Sequence, residues 1–427
     1  MTSSVQPGAD TITSRTSQLA LVLLFLVSLF NYLDRYMLGI LLPAIKADLK
    51  LSDTELGFLA GLPFALFYAT MGIPIARLAD RHPRRWVIAG AVAAWSAMTA
   101  VCGLAQNFWQ LGLGRVLVGV GEAGASPPSH SLIADLVPPK RRAAALAVYA
   151  SGSPVGILIG FMAGGLISQS LGWRPALFVF GLPGLALALA VFHFLPEPRR
   201  VAGPDVVAIM PLKTVLRTLL ARRCFVHASV GSGYYAMLWL GLIAWLPSYF
   251  TRSFGMGIGE VGTKLALVLG VSQLIGLTLG GALSDKLAQR DARWYMWVCA
   301  MASLTPMPFY AMALLWPTPG IALLAVFPAF LFGIVQGGPE FAVIQNASGP
   351  RMRAVAAASY FLIVNVMGGI GSQLMGLLSD LFTPALGGDA LRVSMLAVSL
   401  VFSLMSGWHF WWGARTVRAD FAAAAAS

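Results

Sequence analysis

Long apolar stretches with few charges dominate this chain and leave few folds open to it. Hydrophobic residues make up 58% of the 427 residues and charged residues only 11%, whereas a soluble domain carries roughly 25% charged residues. A soluble fold of this length cannot bury so much apolar surface. The stretches are long enough for α-helices that cross a bilayer, which need about 20 apolar residues each. The sequence therefore predicts an all-α membrane protein.

Twelve such stretches predict twelve transmembrane helices, which we number as spans one to twelve. Their ranges are 17–45, 55–79, 86–105, 108–136, 143–170, 174–195, 223–250, 260–284, 294–316, 320–346, 354–379 and 391–413. A basic linker rich in proline, 196–222, separates an N-terminal six-helix bundle, 1–195, from a C-terminal six-helix bundle, 223–427. The first dozen residues are polar and no A-x-A cleavage site follows, so we expect the first span to be retained.

Lysine and arginine concentrate in alternate loops, and this explains the net charge of +12 without a nucleic-acid surface. The positive-inside rule then places both termini and the linker in the cytoplasm, and we expect the bacterial inner (plasma) membrane. The basic residues on this predicted side are Arg77, Arg81, Arg84, Arg85, Lys140, Arg141, Arg142, Arg199, Arg200, Lys213, Arg217, Arg222, Arg223, Lys286, Arg290, Arg293, Arg351 and Arg353.

The two halves repeat each other at a nearly constant offset. "PPKRRAAALAVY", ending at Tyr149, matches "GPRMRAVAAASY", ending at Tyr360, 211 residues later. "GGLIS", ending at Ser168, matches "MGLLS", ending at Ser379, at the same offset. Repeated bundles related by pseudo-symmetry are typical of transporters, whose binding site lies between the repeats near the bilayer midplane. The sequence thus predicts two pseudo-symmetric bundles around a central site.

The loop after span two carries a motif of a known superfamily. "ARLADRHPRR" resembles the G-x-x-x-D-R-x-G-R-R signature of the major facilitator superfamily, with Ala76 and Pro83 in place of the glycines, and "GALSDK" at 281–286 resembles its second copy. This resemblance implies alternating access, with the signature residues forming a conformational latch on the cytoplasmic side. The residues that match are Asp80, Arg81, Arg84, Arg85, Asp285 and Lys286.

Four further segments resemble a narrower group. "NYLDR", "GRVLVGVGEAGASPPSHSLIADLVPPKRR", "SPVGILIGFMAGGLI" and "VNVMGGIGSQLMGLLSD" are similar to the Spinster family, whose known members export lysophospholipids or sphingosine-1-phosphate. The anion:cation symporters of organic acids share a similar first span and the "EAG" of span four. The resemblance therefore implies export of an amphiphile, with an organic-anion:proton symporter as the alternative.

Four charged residues are predicted near the bilayer centre, where charge is costly and usually functional. At 1.5 Å per residue, Asp34 lies about 24 Å along span one, and Glu122 about 21 Å along span four from the other side. Arg115 and Glu122 are seven residues apart and share one helix face. Adjacent Asp34 and Arg35 point about 100° apart, toward different neighbours. We expect these four side chains to form a charge-compensated cluster.

Two interpretations of this cluster remain open. One is a static buried ion-pair network, which is weak evidence for stability or function. The other is a proton switch, because a carboxylate that loses its basic partner in a low dielectric binds a proton more readily. Under the second hypothesis Asp34 or Glu122 carries the coupling proton, and Arg35 and Arg115 bind an anionic substrate.

Four more side chains are candidates for substrate contact, and each has a structural alternative. His130 stands beside two prolines in span four, Tyr235 and Trp239 are one turn apart in span seven, and Glu340 belongs to "GGPE" in span ten. Packing would explain His130 equally well, and a partner at a helix break would explain Glu340 equally well. Aromatic residues at helical spacing, such as Tyr235 and Trp239, are more often packing or interface-belt residues. "GVGEAG" lies inside an apolar helix and so is no dinucleotide site. We predict no enzyme activity, no cofactor and no metal. We expect a monomer whose partners are a small amphiphilic or anionic substrate, protons and membrane lipids.

Glycines recur at four-residue intervals, a spacing that lets helix backbones approach closely. Span five carries the longest run, span two carries a pair, and span eight carries another pair. In the superfamily that the loop motif resembles, spans two, five, eight and eleven pair across the two halves, so the resemblance implies that these stripes line the interface at which the two bundles move against each other. The glycines are Gly152, Gly156, Gly160, Gly164, Gly57, Gly61, Gly276 and Gly280.

Overall fold

The computed structural model describes residues 14–198, 211–349 and 352–426. These ranges are almost entirely helical and contain no β-strand, which confirms the all-α prediction. Arg199, Arg200 and Arg351, with most of the predicted linker, lie outside the described residues.

The first six spans coincide with the predicted ranges, and several are built from two consecutive helices. In chain order their helices are Ser14–Leu49; Asp53–Ala60 and Leu62–Arg81; Arg84–Cys102; Phe108–Glu122 and Ser126–Leu136; Arg142–Ala150 and Gly152–Leu171; and Trp173–Phe194. A 3₁₀ turn, Pro139–Arg141, precedes span five.

The last six spans follow the same plan. Their helices are Arg223–Phe254; Ile258–Ala288; Trp294–Leu304 and Met307–Leu315; Pro319–Ile334 and Gly337–Ser348; Arg353–Leu386; and Ala390–Gly413. Three short elements lie outside the spans: Leu212–Ala221, the 3₁₀ turn Gly387–Asp389, and Val417–Ala425.

Ten helical stretches within the described ranges are long and apolar enough to cross a bilayer. Span four is not among these ten, and spans eleven and twelve together form one stretch, Arg353–Gly413. The break in span four falls between Glu122 and Ser126, with Pro127 and Pro128 following. Proline lacks a backbone N–H and clashes with the carbonyl four residues earlier, so the helix must restart there.

The glycine stripes pack closely, but mostly inside each bundle. A Cβ on Gly156 would lie 2.7 Å from the carbonyl oxygen of Leu29 in span one, and one on Gly276 would lie 2.5 Å from that of Leu331 in span ten. The prediction that the stripes of spans five and eight line the interface between bundles is therefore wrong. Spacing reveals a close approach between helices, but the rotation of each helix in the bundle decides which neighbour approaches.

The two bundles meet where span five packs on span eight and span two packs on span eleven. A Cβ on Gly57 would lie 2.6 Å from the carbonyl oxygen of Ser372, and one on Gly165 would lie 2.7 Å from that of Ile258. The pairing of these four spans across the halves follows the resemblance, and Gly57 and Gly61 lie at the interface as predicted.

We call the side where span one begins and span twelve ends the terminal side, and the other the opposite side. Toward the opposite side one apolar core runs through both bundles and includes Leu56, Phe161 and Leu246. Toward the terminal side each bundle has a separate core, one around Trp95 and the other around Phe410. The bundles are thus joined at the opposite side and apart at the terminal side.

Candidate functional site

Arg35 of span one forms a buried ion pair with Glu122 of span four. Its Nη2 and Nε donate to Glu122 Oε2 at 2.8 and 3.2 Å, and Nη2 lies 3.5 Å from Asn31 Oδ1. The Glu122 side chain is fully buried, while that of Arg35 is 14% exposed. Two of the four charges expected near the bilayer centre therefore meet directly.

Aromatic rings surround the Arg35 guanidinium. Its central carbon lies 4.6 Å from the ring centre of Tyr68, 4.8 Å from that of Phe64 and 5.3 Å from that of Tyr32. The guanidinium of Arg115 lies 5.3 Å from the same Phe64 ring. Cations are attracted to ring faces, more strongly when desolvated. The sequence analysis missed Phe64 and Tyr68, although their spacing of four residues puts both on one face of span two.

Asp34 and Arg115 share a small cavity between spans one, three, four and six. Both side chains are buried, and they line this cavity together with Thr99 and Cys102. Asp34 Oδ2 accepts a hydrogen bond from the Thr99 hydroxyl, whereas Asp34 Oδ1 and Arg115 Nε have no partner among the described residues. The four charges thus separate into a direct pair and a pair around a cavity.

A second cavity lies between the two bundles, and we call it the central cavity. It has about 550 Å³ of empty space, part of it open to solvent. Arg35 lines it from span one, and Asn365 and Ser372 line it from span eleven. Most of the remaining wall is apolar, including Phe64, Leu240, Ile243 and Ala244. The guanidinium that holds Glu122 therefore also faces the space between the bundles.

The predicted contacts in the C-terminal bundle have varied surroundings. Trp239 packs edge-on against Tyr36 of span one, with ring centres 5.9 Å apart, so it reaches across the interface. Tyr235 is buried, and its hydroxyl has no hydrogen-bond partner among the described residues. Glu340 lies in the first turn of the second helix of span ten and accepts a hydrogen bond of 2.7 Å from Ser232. This contact agrees with the structural alternative for Glu340, a polar partner at a helix break.

His130 is exposed on the second helix of span four, and its ring packs edge-on against Tyr149 of span five at 5.0 Å. None of its described contacts reaches Arg35 or Glu122. Its role in substrate binding remains a prediction.

In this conformation Arg84, Arg85 and Asp285 contact residues of their own half of the chain or of the start of the linker. Arg84 Nη1 binds Asp135 at 2.6 Å, Arg84 Nε binds Glu197 at 3.0 Å, and the backbone N–H of Arg85 donates to Glu197 at 2.8 Å. Asp285 accepts from the Tyr295 hydroxyl at 3.3 Å. Asp80 lies in the last turn of span two, which ends at exposed Arg81. Because the bundles are apart here, a latch between them remains a prediction for the other conformation.

Lys286 lies in the last turn of span eight and is exposed. It therefore stands at the terminal side, where the latch is predicted, and is accessible to the facing bundle if the two halves close.

A charged network that the sequence analysis missed joins the bundles at the opposite side. Arg252 of span seven binds Asp53 of span two through two hydrogen bonds of 2.7 and 2.8 Å. Asp53 also accepts from Lys46 and, at 2.6 Å, from the Ser379 hydroxyl. The Asp53 side chain is only 4% exposed. Bidentate pairing of arginine with carboxylate is strong and geometrically specific.

Asp380 of span eleven completes this network by capping a helix of the other bundle. Its two carboxylate oxygens accept from the backbone N–H groups of Asp53 and Thr54, at 3.1 and 2.7 Å, and from the Thr54 hydroxyl. A carboxylate at a helix N-terminus satisfies unpaired N–H groups and complements the helix dipole. We call the whole set the opposite-side clasp: Lys46, Asp53, Thr54, Arg252, Ser379 and Asp380.

Comparison with known proteins agrees with this architecture. The model of the Major Facilitator Superfamily matches residues 24–372. An "MFS-type efflux pump" of Mycolicibacterium smegmatis is 34% identical over 414 residues, which cover 96% of each chain. The "Hexuronate transporter" of Bacillus subtilis is 27% identical and covers 84% of this chain and 87% of its own.

A solved structure is similar over almost the whole chain. It is described as a bacterial homolog of the human lysosomal transporter Spinster in an inward-facing and unoccupied conformation. It superposes with a TM-score of 0.87 at 29% identity and covers 96% of this chain and 99% of its own. The chain therefore belongs to the Major Facilitator Superfamily and, within it, to the Spinster-like transporters. It is an integral membrane transporter of a small molecule and not an enzyme.

Proposed function

We propose that this protein is a proton-coupled secondary transporter that exports an amphiphile with an anionic head group by alternating access. One observation carries the proposal: the Arg35 guanidinium binds buried Glu122 and at the same time lines the central cavity. A guanidinium is a natural partner for phosphate or carboxylate. The apolar wall of that cavity suits an alkyl chain.

Exchange of partners at Arg35 would couple substrate to proton. An anion that enters the central cavity competes with Glu122 for the guanidinium. Glu122, which is fully buried, would then be an unpaired carboxylate in a low dielectric, and it binds a proton to remove that cost. Protonation leaves the site neutral, which favours rearrangement of the bundles.

The same charge balance supports a second candidate, an organic-anion:proton symporter. The four central charges sum to zero, so an added anion favours an added proton and the two move together. A proton gradient directed into the cell would then drive uptake, and the similarity to a hexuronate transporter agrees with an organic-acid substrate. Partner exchange at Arg35 by itself makes anion and proton bind together, which is the order of the symporter. Export driven by the inward proton gradient needs the opposite order, in which the proton binds only after the substrate has left, and the similarity to an efflux pump supports export.

Proteoliposomes distinguish the two candidates. Protein reconstituted with a pH-sensitive dye inside is given 1-oleoyl lysophosphatidic acid in one experiment and glucuronate in another. Proton movement opposite to the lysolipid supports the export proposal, and movement with glucuronate supports the symporter. Flux of either compound without any proton movement would contradict coupling.

We further infer that 1–195 and 223–427 move as two bundles joined by the linker 196–222, and that the terminal side is cytoplasmic. Opening toward the terminal side then makes this conformation inward-facing. Rocking of two repeats around a fixed site is a common route to alternating access.

Labelling from the two sides of the membrane tests this orientation. Single cysteines replace Gly203 in the linker, which lies outside the described residues, or Pro319 at the start of span ten, in a background without Cys102, Cys224 and Cys299. Because the two positions are predicted on opposite sides, an impermeant maleimide added to intact cells should modify only the cysteine at 319. Modification of both, or of the linker cysteine alone, would refute the topology.

Replacing Arg35 with alanine should weaken binding of an anionic substrate. Hydrogen bonds to a charged group contribute about 1.5–3 kcal/mol, so we expect an affinity loss of roughly 10- to 100-fold. Titration calorimetry with 1-oleoyl lysophosphatidic acid measures this loss. Arg392→Ala, which removes an arginine paired with Asp389 at the opposite side, is the matched control and should bind normally. Equal affinity of the Arg35 variant and wild type would remove Arg35 from the substrate site.

A further inference from the structure

The short helix at the end of the linker, Leu212–Ala221, has an apolar stripe that no described residue covers. Leucines recur on it every four residues and therefore share one face. These leucines are Leu212, Leu216 and Leu220, which are 57%, 36% and 65% exposed. Val215 and Leu219, on the neighbouring face, are buried in the terminal-side core of the C-terminal bundle. The helix thus packs on the bundle through one face and leaves its leucines uncovered.

The sequence of this helix gives each of its four faces a different chemistry. At 100° per residue, Thr214 and Thr218 point about 180° away from the centre of the leucine stripe. The two buried residues lie about 80° to one side of the stripe, and Lys213 and Arg217 lie about 80° to the other. A helix in the surface of a bilayer has this arrangement, with apolar residues toward the acyl chains, basic residues at head-group level and polar residues toward water.

The helix is also placed where a bilayer surface is expected. It packs against spans seven and eleven, and Arg223, the first residue of span seven, follows it closely. Arg222 is extended, which separates the helix from span seven, and it donates a hydrogen bond to the carbonyl oxygen of Ala347 in the last turn of span ten. The helix is therefore tied to the C-terminal bundle at the level where the spans leave the bilayer.

The basic residues around this helix have no acidic partner. Lys213 and Arg217 on the helix, with Arg223 and Arg353 at the starts of spans seven and eleven, are exposed and form no ion pair among the described residues. By contrast, Arg174 at the opposite side pairs with a carboxylate. No aspartate or glutamate occurs from 211 to 223. Uncompensated positive charge beside an apolar stripe is complementary to a phospholipid with a negative head group.

We propose that the helix Leu212–Ala221 is an interfacial helix that binds an anionic phospholipid of the terminal-side leaflet. Its leucines lie among the acyl chains, and Lys213 and Arg217 bind the phosphate. This lipid is a bound partner of the C-terminal bundle and not the transported substrate, so the inference is independent of the proposed function. Because the helix is tied to spans seven and ten, the lipid holds this bundle at the membrane surface while the other bundle rocks against it.

Quenching of a fluorescent label by doxyl-labelled lipid tests this inference on the full-length protein. A single cysteine replaces Leu220 or Thr214, both exposed, in a background without the native cysteines, and carries bimane. Nanodiscs of phosphatidylcholine contain a small fraction of doxyl-phosphatidylglycerol or, in a parallel sample, of doxyl-phosphatidylcholine. We expect quenching at 220 and little at 214, because the threonine face points toward water.

The two quenchers together measure the preference for an anionic head group. At 220 we expect phosphatidylglycerol to be preferred roughly 5- to 30-fold, the effect of one or two basic residues near an anionic surface. Lys213→Gln with Arg217→Gln should remove most of this preference. Lys140→Gln with Arg141→Gln is the matched control, because it removes two exposed positive charges at the terminal side from a 3₁₀ turn of the other bundle. It should leave the preference unchanged.

Three results would overturn the proposal. Absence of quenching at 220, or equal quenching at 214 and 220, would show that the leucine stripe does not enter the bilayer. Equal quenching at 220 by the two lipids would show that the helix does not select an anionic head group. A full preference in the variant without Lys213 and Arg217 would show that these two residues do not bind the phosphate.

Discussion

Replacing Glu122 with glutamine is expected to abolish proton-driven transport while leaving substrate exchange measurable. Glutamine has almost the same shape and still offers an oxygen to Arg35, but it does not bind the coupling proton. Glutamine is chosen over alanine because it keeps a hydrogen-bond acceptor for Arg35 at this fully buried position. Accumulation in proteoliposomes should fall to background, whereas counterflow of labelled substrate should persist.

Asp34→Asn belongs in the same experiment because both carboxylates are candidates for the proton. Asp34 bonds to Thr99 and shares a cavity with Arg115, so its variant reports on the second pair. Glu260→Gln changes an exposed pair with Lys264 and is the control, for which normal accumulation is expected. If both central variants still accumulate substrate with the wild-type pH dependence, the four charges form a static ion-pair network.

Removing Arg252 is expected to open the opposite side. The variant Arg252→Ala leaves the buried carboxylate of Asp53 without its bidentate partner. Truncating one member of a buried, hydrogen-bonded charge pair costs about 2–5 kcal/mol. At about 1.4 kcal/mol per tenfold change, the equilibrium should shift by roughly 30-fold or more toward the conformation closed at the terminal side.

Double electron–electron resonance measures this shift as a change in the distance between two spin labels. Spin labels on Gln106 and Thr318, exposed in opposite-side loops of the two bundles, should move apart in the variant. Arg174→Ala is the matched control: Arg174 pairs with Asp48 at the same side but within one bundle, so its loss should leave the distances unchanged. An unchanged distribution in the Arg252 variant would show that the opposite-side clasp does not hold the bundles together.

The sequence alone determined the spans and the identity of the central charges. Apolar runs of span length are unambiguous, because a bilayer accepts helices and excludes unpaired backbone groups. Asp34, Arg35, Arg115 and Glu122 stood out because so few charged residues lie in those runs. Depth along each helix also follows from the fixed rise per residue, so the meeting of spans one and four near midplane was predictable.

Only the tertiary structure decided which groups are partners. Helix rotation pairs Arg35 with Glu122 and leaves Asp34 to Thr99, which the sequence analysis did not single out. The same rotation turns Gly156 toward span one and away from the interface between bundles.

The opposite-side clasp could not be predicted from the sequence, for a related reason. Asp53, Arg252 and Asp380 lie at span ends and are separated by well over one hundred residues along the chain. A charge at a span end is ordinary, since it lies at the level of water and head groups. Periodicity and hydropathy describe each helix alone, whereas a contact between bundles depends on how two separately formed surfaces dock, and that is fixed only when the whole chain is packed.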